Sequence, residues 1–583
     1  MENIEIAKIF SVIADILEIQ GKNKYRVGAY RRAAQVIEAM PDDINEIYKK
    51  GRLDKIPGVG ESLARKIKEL IETGKLEELK QLEKKVPQGV TEIMEVEGVG
   101  PKLAKLVYKK FGVTTINQLE KLVKSHKLQR LKGFRSKTEE NILRGIELLR
   151  KHGERELLGK AYSQAESIVQ KVKESGFADK TEIAGSLRRR KETIGDIDIL
   201  VTSKKPLKVM DFFTSLPEVK EVEVKGKTKA TVILKTGIEA DMRVVTLKSF
   251  GAAFHYFTGS KAHNIRIRKR GAERGLKINE YGVFKKAKNE KRKTKNNRRQ
   301  EMRVGGKTEE EVFKSVELPW IPPELREDRG EIEAAEKGKL PKLIELKDLK
   351  GDLHMHTTFS DGAHSIEEMV RVAKKKGYSY IAITDHASPL GILKGLTPQK
   401  VLKLIKEVKR INKKIRGIKV LAGAEVDILP SGELYLPQEI LKKLDVVIGA
   451  IHTSFRMPKK EMTQRILLAI RNPYVAIIAH PTGRILGRRE SYELDLDEIM
   501  KEAKKTGTIL ELNAFWNRLD LNDINLRLAK EKGVRIAIST DAHNVMELDI
   551  IKYGISQARR GWLEAKDVVN TLPFEKLKKI LKK

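Results

Sequence analysis

Two groups of side chains in this chain have the types and spacing that phosphate chemistry requires. The first centres on Ile194-Gly195-Asp196-Ile197-Asp198-Ile199-Leu200-Val201, where acidic and apolar residues alternate. On a strand, Asp196 and Asp198 share one face while Ile197 and Ile199 enter a core on the other. A second strand-like run, Ile238 to Val244, can set Asp241 beside them. Three carboxylates on adjacent strands can hold two divalent ions, which activate a 3′-hydroxyl and neutralise a leaving pyrophosphate. Such oxygen ligands suit Mg²⁺, or Mn²⁺ in its place. About ten residues upstream, Ala184-Gly185-Ser186-Leu187-Arg188-Arg189 reads as a Gly-Ser turn at a helix start followed by arginines, a cradle for a triphosphate. An isolated Asp-x-Asp is no more than a solvated strand face, but the ordered combination points to nucleotidyl transfer.

The second group is rich in histidine. Most of the chain's eleven histidines fall after Leu346, at the ends of apolar runs. They are His354 and His356 in GDLHMHT, His386 in TDH, His452 in IHTS, His480 in AHP and His543 in TDAH. Asp361 in SDG, Glu425 in GAE and Asp541 in TDAH join them, while His364 sits in a loop-to-helix position and is read as ordinary. His354 and His356 alternate on one strand, so both can reach one ion. Nine converging imidazoles and carboxylates suit two or three borderline ions such as Zn²⁺, Mn²⁺ or Fe²⁺. Closely spaced ions of this kind produce hydroxide and stabilise phosphate charge.

The elements that must position these groups follow from periodicity. The aspartates lie in an α+β module in which a helix from Tyr162 to Glu174 precedes strands at Thr181–Ala184, Asp196–Val201, Ala230–Leu234 and Glu239–Val245. The histidines lie where seven apolar runs alternate with amphipathic helices, ending before Asp352, Thr384, Gly423, Gly449, Ala479, Asn513 and Ser539. That alternation predicts a barrel of parallel strands whose C-terminal ends form the active face.

The front of the chain is helical and internally repeated. Ile56-Pro57-Gly58-Val59-Gly60 and Val96-Glu97-Gly98-Val99-Gly100 each precede a Lys-bearing helix, with a weaker turn at Leu131-Lys132-Gly133. The glycine turns leave helix N-terminal N–H groups free, which suits DNA phosphates, so Gly58, Gly60, Gly98 and Gly100 are read as backbone clamps. Lys66 stands among Arg65 and Lys68, a setting that favours an amine nucleophile, although a lysine on a basic helix is more often a phosphate contact. Residues 285–303 form a basic, apolar-poor insertion read as a mobile loop, and Thr482 to Arg489 reads either as a DNA phosphate contact or as a plain basic loop.

A formal net charge of +36 favours polyanionic partners. The absence of cysteine excludes disulfides, thiolate metal sites and a cysteine nucleophile. No apolar run reaches bilayer length and the N-terminus does not read as a signal peptide, so a cytoplasmic, membrane-free, monomeric protein is expected.

On these residues the chain resembles the family X DNA polymerases, the DNA polymerase beta type, from about Ile4 to Glu324. Tyr256-Phe257-Thr258-Gly259-Ser260, with Asn264, Arg268 and Ile278-Asn279-Glu280-Tyr281, carries the likeness. The resemblance implies that Asp196, Asp198 and Asp241 are catalytic. It implies a dNTP pocket in which Gly185, Ser186, Arg189 and Gly195 hold the triphosphate side, and Tyr256, Phe257, Gly259 and Asn264 the sugar and base. Tyr256 and Phe257 help exclude a 2′-hydroxyl, Arg268 contacts the template, and Arg243 steadies the carboxylates. Lys66 matches a 5′-deoxyribose-phosphate lyase nucleophile, and Tyr30 and Arg31 match its 5′-phosphate pocket. A supporting lysine of that family is Ser62 here.

From Leu346 to Leu572 the chain resembles the polymerase-and-histidinol-phosphatase (PHP) domain, with all nine ligand positions matched. That resemblance implies a (β/α)7 barrel and, behind such a polymerase, 3′→5′ exonuclease, apurinic-site endonuclease and 3′-phosphoesterase work. The expected organisation is a helical lyase-like domain (1–88), a second helix-hairpin-helix domain (89–152), a nucleotidyltransferase palm (153–248) and a thumb-like domain (249–325). A linker (326–345), read from the Pro- and charge-rich stretch between Pro319 and Pro341, leads to the PHP domain (346–583). Gapped or nicked DNA and dNTPs are the expected partners. An RNA nucleotidyltransferase fused to a small-molecule phosphatase is the rival reading, and a noncatalytic DNA scaffold the other.

Overall fold

The computed structural model describes the chain except residues 2, 22, 40–43, 57, 85, 97, 131–135, 154, 287–300, 390–394 and 583. The third helical turn expected at 131–133 therefore lies outside the described residues.

The front end packs two helical cores. Ile6, Phe10 and Ile13 of helix Asn3–Gln20 enter the first, with Tyr30, Val59 and Ile67. Ile16 and Ile19 of the same helix enter the second, with Val99, Leu103 and Val107. One helix thus joins the two repeats, a link that the ~40-residue repeat alone does not show. In each turn the valine is buried and the flanking glycines are exposed. Gly58 and Gly98 have φ of 75° and 91°, backbone that glycine adopts without steric cost. Helices Glu61–Thr73 and Pro101–Phe111 follow, capped by Gly60 and Gly100 with no side-chain cap, so their first N–H groups face outward.

The palm is a five-stranded sheet in the order Lys180–Ile183, Asp196–Thr202, Glu239–Val245, Lys229–Leu234, Val219–Lys225. Ile197, Ile199 and Val201 are buried and pack with Ala161, Ala165 and Ile168 of helix Leu158–Glu174. The thumb follows as helices Phe250–Thr258 and Lys261–Glu273 and a three-stranded antiparallel sheet, Leu276–Asn279, Gly282–Lys286 and Glu301–Gly305. The expected basic insertion is the connection of its second hairpin, with Lys286 paired to Glu301. Its middle, 287–300, lies outside the described residues.

In the expected linker, two charged residues are buried and paired. Arg326 is fully buried and donates to Glu309 at 2.6 Å and to the Ile321 carbonyl at 2.8 Å. Glu331 is fully buried against His263 at 2.7 Å, and Ile332 and Ala335 join the Val312–Phe313 core.

The back end is a parallel barrel. Seven strands run in the order Gly351–Asp352, Tyr380–Ile383, Lys419–Asp427, Val446–Ala450, Ile477–Ile478, Ile509–Asn513 and Ile536–Ser539, with His386–Ala387 pairing the third. A parallel bridge between Met355 and Ala542 closes the ring, with Asp541 N–H donating to the His354 carbonyl at 2.9 Å and His356 N–H to Ala542 at 2.8 Å. Among the described residues no helix is long and apolar enough to cross a membrane.

Candidate active sites and DNA interface

In the palm, strand register does the assembly. The parallel pair Asp196–Thr202 and Glu239–Val245 sets Asp198 opposite Asp241 and Asp196 opposite Glu239. Glu239 is a fourth carboxylate that the sequence reading passed over, although its alternation with Asp241 was visible. Asp196 is exposed and Asp198 and Asp241 are half-buried. Thr231 donates to Asp241, and Lys229 Nζ lies 3.3 Å from its other oxygen. Burial, then the charges of Asp196 and Asp241, push the Asp198 carboxyl up to about 7. A dense negative site of this kind gains from divalent cations.

The phosphate cradle packs on the same strand. Ala184 N–H donates to the Asp198 carbonyl at 2.8 Å. Gly185 has φ of 62°, and a Cβ there would stand 2.1 Å from Asp198 Oδ2, so only glycine fits. Ser186 Oγ is buried without a hydrogen-bond partner among the described residues. Arg189 is not free: its Nε meets Glu327 at 3.0 Å and its guanidinium reaches the Thr258 carbonyl. Across the cleft Tyr256 is exposed, its carbonyl takes the Asn264 amide at 2.7 Å, and the neighbouring Phe257 ring receives the Arg243 guanidinium at 4.7 Å. Gly259 turns beside Arg189 with φ of 69°, Gly195 abuts Arg155, and Arg268 is exposed on its helix.

In the barrel, strand ends bring the histidines together. Among the described residues, three groups have ligand atoms within 4.8 Å of one another: His356, Asp361, His386 and His543; His354, His356 and Asp541; and His386, Glu425 and His452. The ninth expected ligand, His480, lies outside these groups but places Nε2 3.0 Å from Glu425. His356 Nε2 is 3.0 Å from Asp541 and 3.2 Å from His354 Nε2. His386 Nδ1 and Glu425 Oε2 face each other at 2.6 Å, yet among the described residues neither has a hydrogen-bond partner, nor does His356 Nδ1. Buried donor atoms left over in this way, on imidazoles and carboxylates, fit borderline metal ions. His480 and Asp541 hold positive φ, 28° and 57°, backbone strain of the sort found at functional sites.

An outer ring fixes these ligands. His354 Nδ1 meets Glu511 and His452 Nδ1 meets Asp427, each at 2.7 Å, and His543 Nδ1 meets the Asp541 carbonyl at 2.8 Å. Partners of this kind set the tautomer and raise ligand basicity. Burial works against charge on His452, but Glu425 and Asp427 outweigh it and raise it to about 10. Burial and the nearby His543 and His386 take His356 the other way, down to about 3. The sequence reading missed Glu511 and Asp427, although Asp427 repeats the Glu425 face two residues on. It also missed Arg518, whose Nη1 is buried without a partner among the described residues and whose charge, after burial, lowers His480.

At the expected DNA interface several of the named residues meet protein partners. Lys66 does not share a cationic face with Arg65 and Lys68, which are exposed; it turns inward to Glu78 at 2.6 Å and to the Tyr30 hydroxyl. Tyr30 is 1% exposed with its hydroxyl on Glu78 at 2.8 Å, and Arg31 is exposed and paired with Asp15 and Glu18. Arg484 is buried and binds Glu192 at 3.1 and 2.8 Å. The second glycine turn lies against the barrel, where a Cβ on Gly98 would be 3.3 Å from Arg456.

Known proteins show the same construction. Family models for a helix-hairpin-helix domain match residues 1–76, for a SAM-like helix-hairpin-helix tandem 90–147, for a DNA polymerase beta thumb 253–327 and for a PHP domain 352–515. A DNA polymerase/3′-5′ exonuclease PolX of Bacillus subtilis (strain 168) is 38% identical over 585 residues, covering 100% of both chains. A probable phosphatase of Thermoanaerobacter sp. (strain X514) is 35% identical over 242 residues, covering 40% of this chain and 94% of its own. A probable phosphatase of Acetivibrio thermocellus is 32% identical over 206 residues, covering 34% and 80%.

Proposed function

Because the chain belongs to the PolX-like family X DNA polymerases, with helix-hairpin-helix domains and a C-terminal PHP domain, we propose that it fills short gaps in DNA and trims 3′ ends at a second site. The observation that carries the polymerase half is the register that sets Asp198 beside Asp241, with Asp196 two residues away, under the Gly185–Ser186 turn. Asp196, Asp198 and Asp241 would hold Mg²⁺ or Mn²⁺, which supplies charge neutralisation for the triphosphate and acidifies the primer hydroxyl. Ser186 Oγ and the N–H groups of its turn bind the triphosphate, and Arg189 adds charge. Tyr256 and Phe257 close the sugar side against a 2′-hydroxyl, Asn264 meets the base, and Arg268 meets the template.

In the barrel, the nine ligands would hold two or three Zn²⁺, Mn²⁺ or Fe²⁺ ions, which supply hydroxide and Lewis acidity for phosphoester hydrolysis. Glu511 and Asp427 orient His354 and His452, and Arg518 offers a cation to the substrate phosphate. The relative named a 3′-5′ exonuclease supports removal of 3′ nucleotides, and the barrel-only relatives named probable phosphatases support removal of a 3′-phosphate at the same site. The exposed glycine turns grip gapped or nicked DNA by its backbone. The protein works as a monomer in the cytoplasm. Lys66 is left without a lyase role, because Glu78 and Tyr30 occupy its amine.

The test is a gel assay on a one-nucleotide gapped duplex with a labelled primer, in Mg²⁺ or Mn²⁺, with and without dNTPs. Templated extension with dNTPs and stepwise shortening without them are expected. Preference for ribonucleotides would favour the RNA nucleotidyltransferase reading, and binding without turnover the scaffold.

A further inference from the structure

The segment 189–195 joins the phosphate cradle to the first aspartate, and the palm holds it through buried Ile194, through Arg155 on Thr193, through Leu158 N–H on the Glu192 carbonyl at 3.1 Å and through Arg190 on the Tyr162 hydroxyl at 3.0 Å. It contains Arg190 in a left-handed conformation, φ 58°, and a two-residue strand, Thr193–Ile194, paired only with Glu156–Leu157. A second set of anchors comes from the barrel. Arg560, at the end of helix Ile551–Arg560, is nearly fully buried and donates Nη1 to the Arg189 carbonyl at 2.8 Å. The same guanidinium reaches Glu327 at 3.0 Å and Asp523 at 2.7 Å. Glu327 Oε1 also takes Arg189 Nε at 3.0 Å, so one carboxylate oxygen joins the two arginines. Three residues on, Glu192 receives both outer nitrogens of Arg484, with Gln557 at 3.4 Å. Arg484 follows His480 by four residues in one loop, so this anchor starts at the barrel's metal face.

We propose that the barrel is a working part of the nucleotide site, with Arg560 and Arg484 as positioning residues for the segment that runs from Arg189 to Asp196. The inference rests on reading Arg189 and Asp196 as polymerase residues. Charge-assisted, bidentate pairs fix direction as well as distance, and a buried arginine satisfied on three sides leaves its acceptors little freedom. Other contacts of the interface, such as Trp516 and Tyr553 against Gly159, meet the palm on helix Leu158–Glu174. The arginines instead meet the one stretch whose displacement would move the cradle relative to the aspartates. Removing Arg560 frees the Arg189 carbonyl and leaves Glu327 to Arg189 alone, so the cradle loses its set position before any contact with substrate is lost.

The experiment uses the full chain with Arg560→Ala and Arg560→Lys, measuring single-nucleotide gap filling against dNTP concentration and, separately, 3′-end shortening of a single strand without dNTPs. The KM for dNTP should rise about tenfold in Arg560→Ala, the scale of one lost charge-assisted contact, with kcat changed less. Arg560→Lys should fall between, and 3′-end shortening should stay within about twofold of the unaltered protein. Adding Glu327→Ala to Arg560→Ala should cost little more than the larger single change, because the two act through one contact. If Arg560→Ala does not fold, Asp523→Asn, which weakens the outer anchor of Arg560 together with the Asp523 pair to Arg329, gives a smaller rise in the same KM. An unchanged KM in the folded variants, with only a lower melting temperature, would overturn the proposal, as would equal loss of extension and shortening. Failure of the unaltered protein to extend any primer would instead defeat the polymerase reading.

Discussion

In the palm, Asp196 is open to solvent and the carboxylates share a few light supports, Thr231 and Lys229 on Asp241. In the barrel, His354, His356, Glu425 and His480 are buried, and three of the imidazoles are held by Glu511, Asp427 or a backbone carbonyl. One site is a shallow shelf of oxygen donors, the other a deep socket of mixed donors. Hard, strongly hydrated ions such as Mg²⁺ keep water and arrive with substrate phosphates, which needs an open shelf. Borderline ions held by imidazoles lose their water to the protein, which needs a pre-set socket with an outer ring. On the proposed reading, the two ends of the molecule differ in when their metals bind: with each nucleotide at the palm, and before substrate at the barrel.

That contrast can be broken by chelation. After stripping, Mg²⁺ alone should restore primer extension, while 3′-end shortening should stay about a thousandfold down until Mn²⁺ or Zn²⁺ is returned, because hydroxide formation there depends on the borderline ion. Recovery of both by Mg²⁺ would erase the distinction. The outer ring supplies the next largest effect: Glu511→Gln or Asp427→Asn should weaken barrel metal affinity by about 10- to 100-fold, read by competition with a chromogenic chelator, and leave extension alone.

Proton competition sharpens the palm side. The Asp198 carboxyl is raised to about 7, so below that pH the folded, metal-free site holds a proton that the unfolded chain releases near its ordinary value. From this group the metal-free protein loses stability as pH rises from the ordinary carboxyl range through about 7, and cation binding offsets the loss. The Mg²⁺ concentration for half-maximal extension should climb by up to about tenfold per unit as pH falls below about 7. A flat dependence between pH 6 and 8 would place the Asp198 proton elsewhere. The smallest effect belongs to Lys66: with its amine on Glu78, borohydride trapping on a 5′-deoxyribose-phosphate end should be near background, and Lys66→Ala should leave gap filling within about twofold. Strong trapping by the unaltered chain would restore the lyase reading.

How much of this was legible in the sequence depended on whether a pattern was local. The aspartates stood out because a strand repeats every two residues, and the register then needed only one partner strand. The barrel ligands stood out because each followed an apolar run at the same relative position. Glu239, Asp427 and Glu511 obeyed the same alternation and could have been found by following each strand one step further. The surroundings of Lys66 were not legible, because its chain neighbours Arg65 and Lys68 share its helix but not its face, while its partner Glu78 comes from a later helix. The packing of the segment after Pro319 was not legible, because nothing local tells that Arg326 and Glu331 find their partners Glu309 and His263 in the interior. Arg484 and Glu192 are 292 positions apart, and nothing near either one announces the other.

The central claim is that two independent chemistries share one chain, and separation of function tests it most directly. Asp196→Ala and His354→Ala, each in the full-length protein, would be assayed on the same gapped substrate for extension and for 3′-end shortening. The account predicts that Asp196→Ala abolishes extension and keeps shortening, and that His354→Ala does the reverse. Loss of both activities in either folded variant would contradict it.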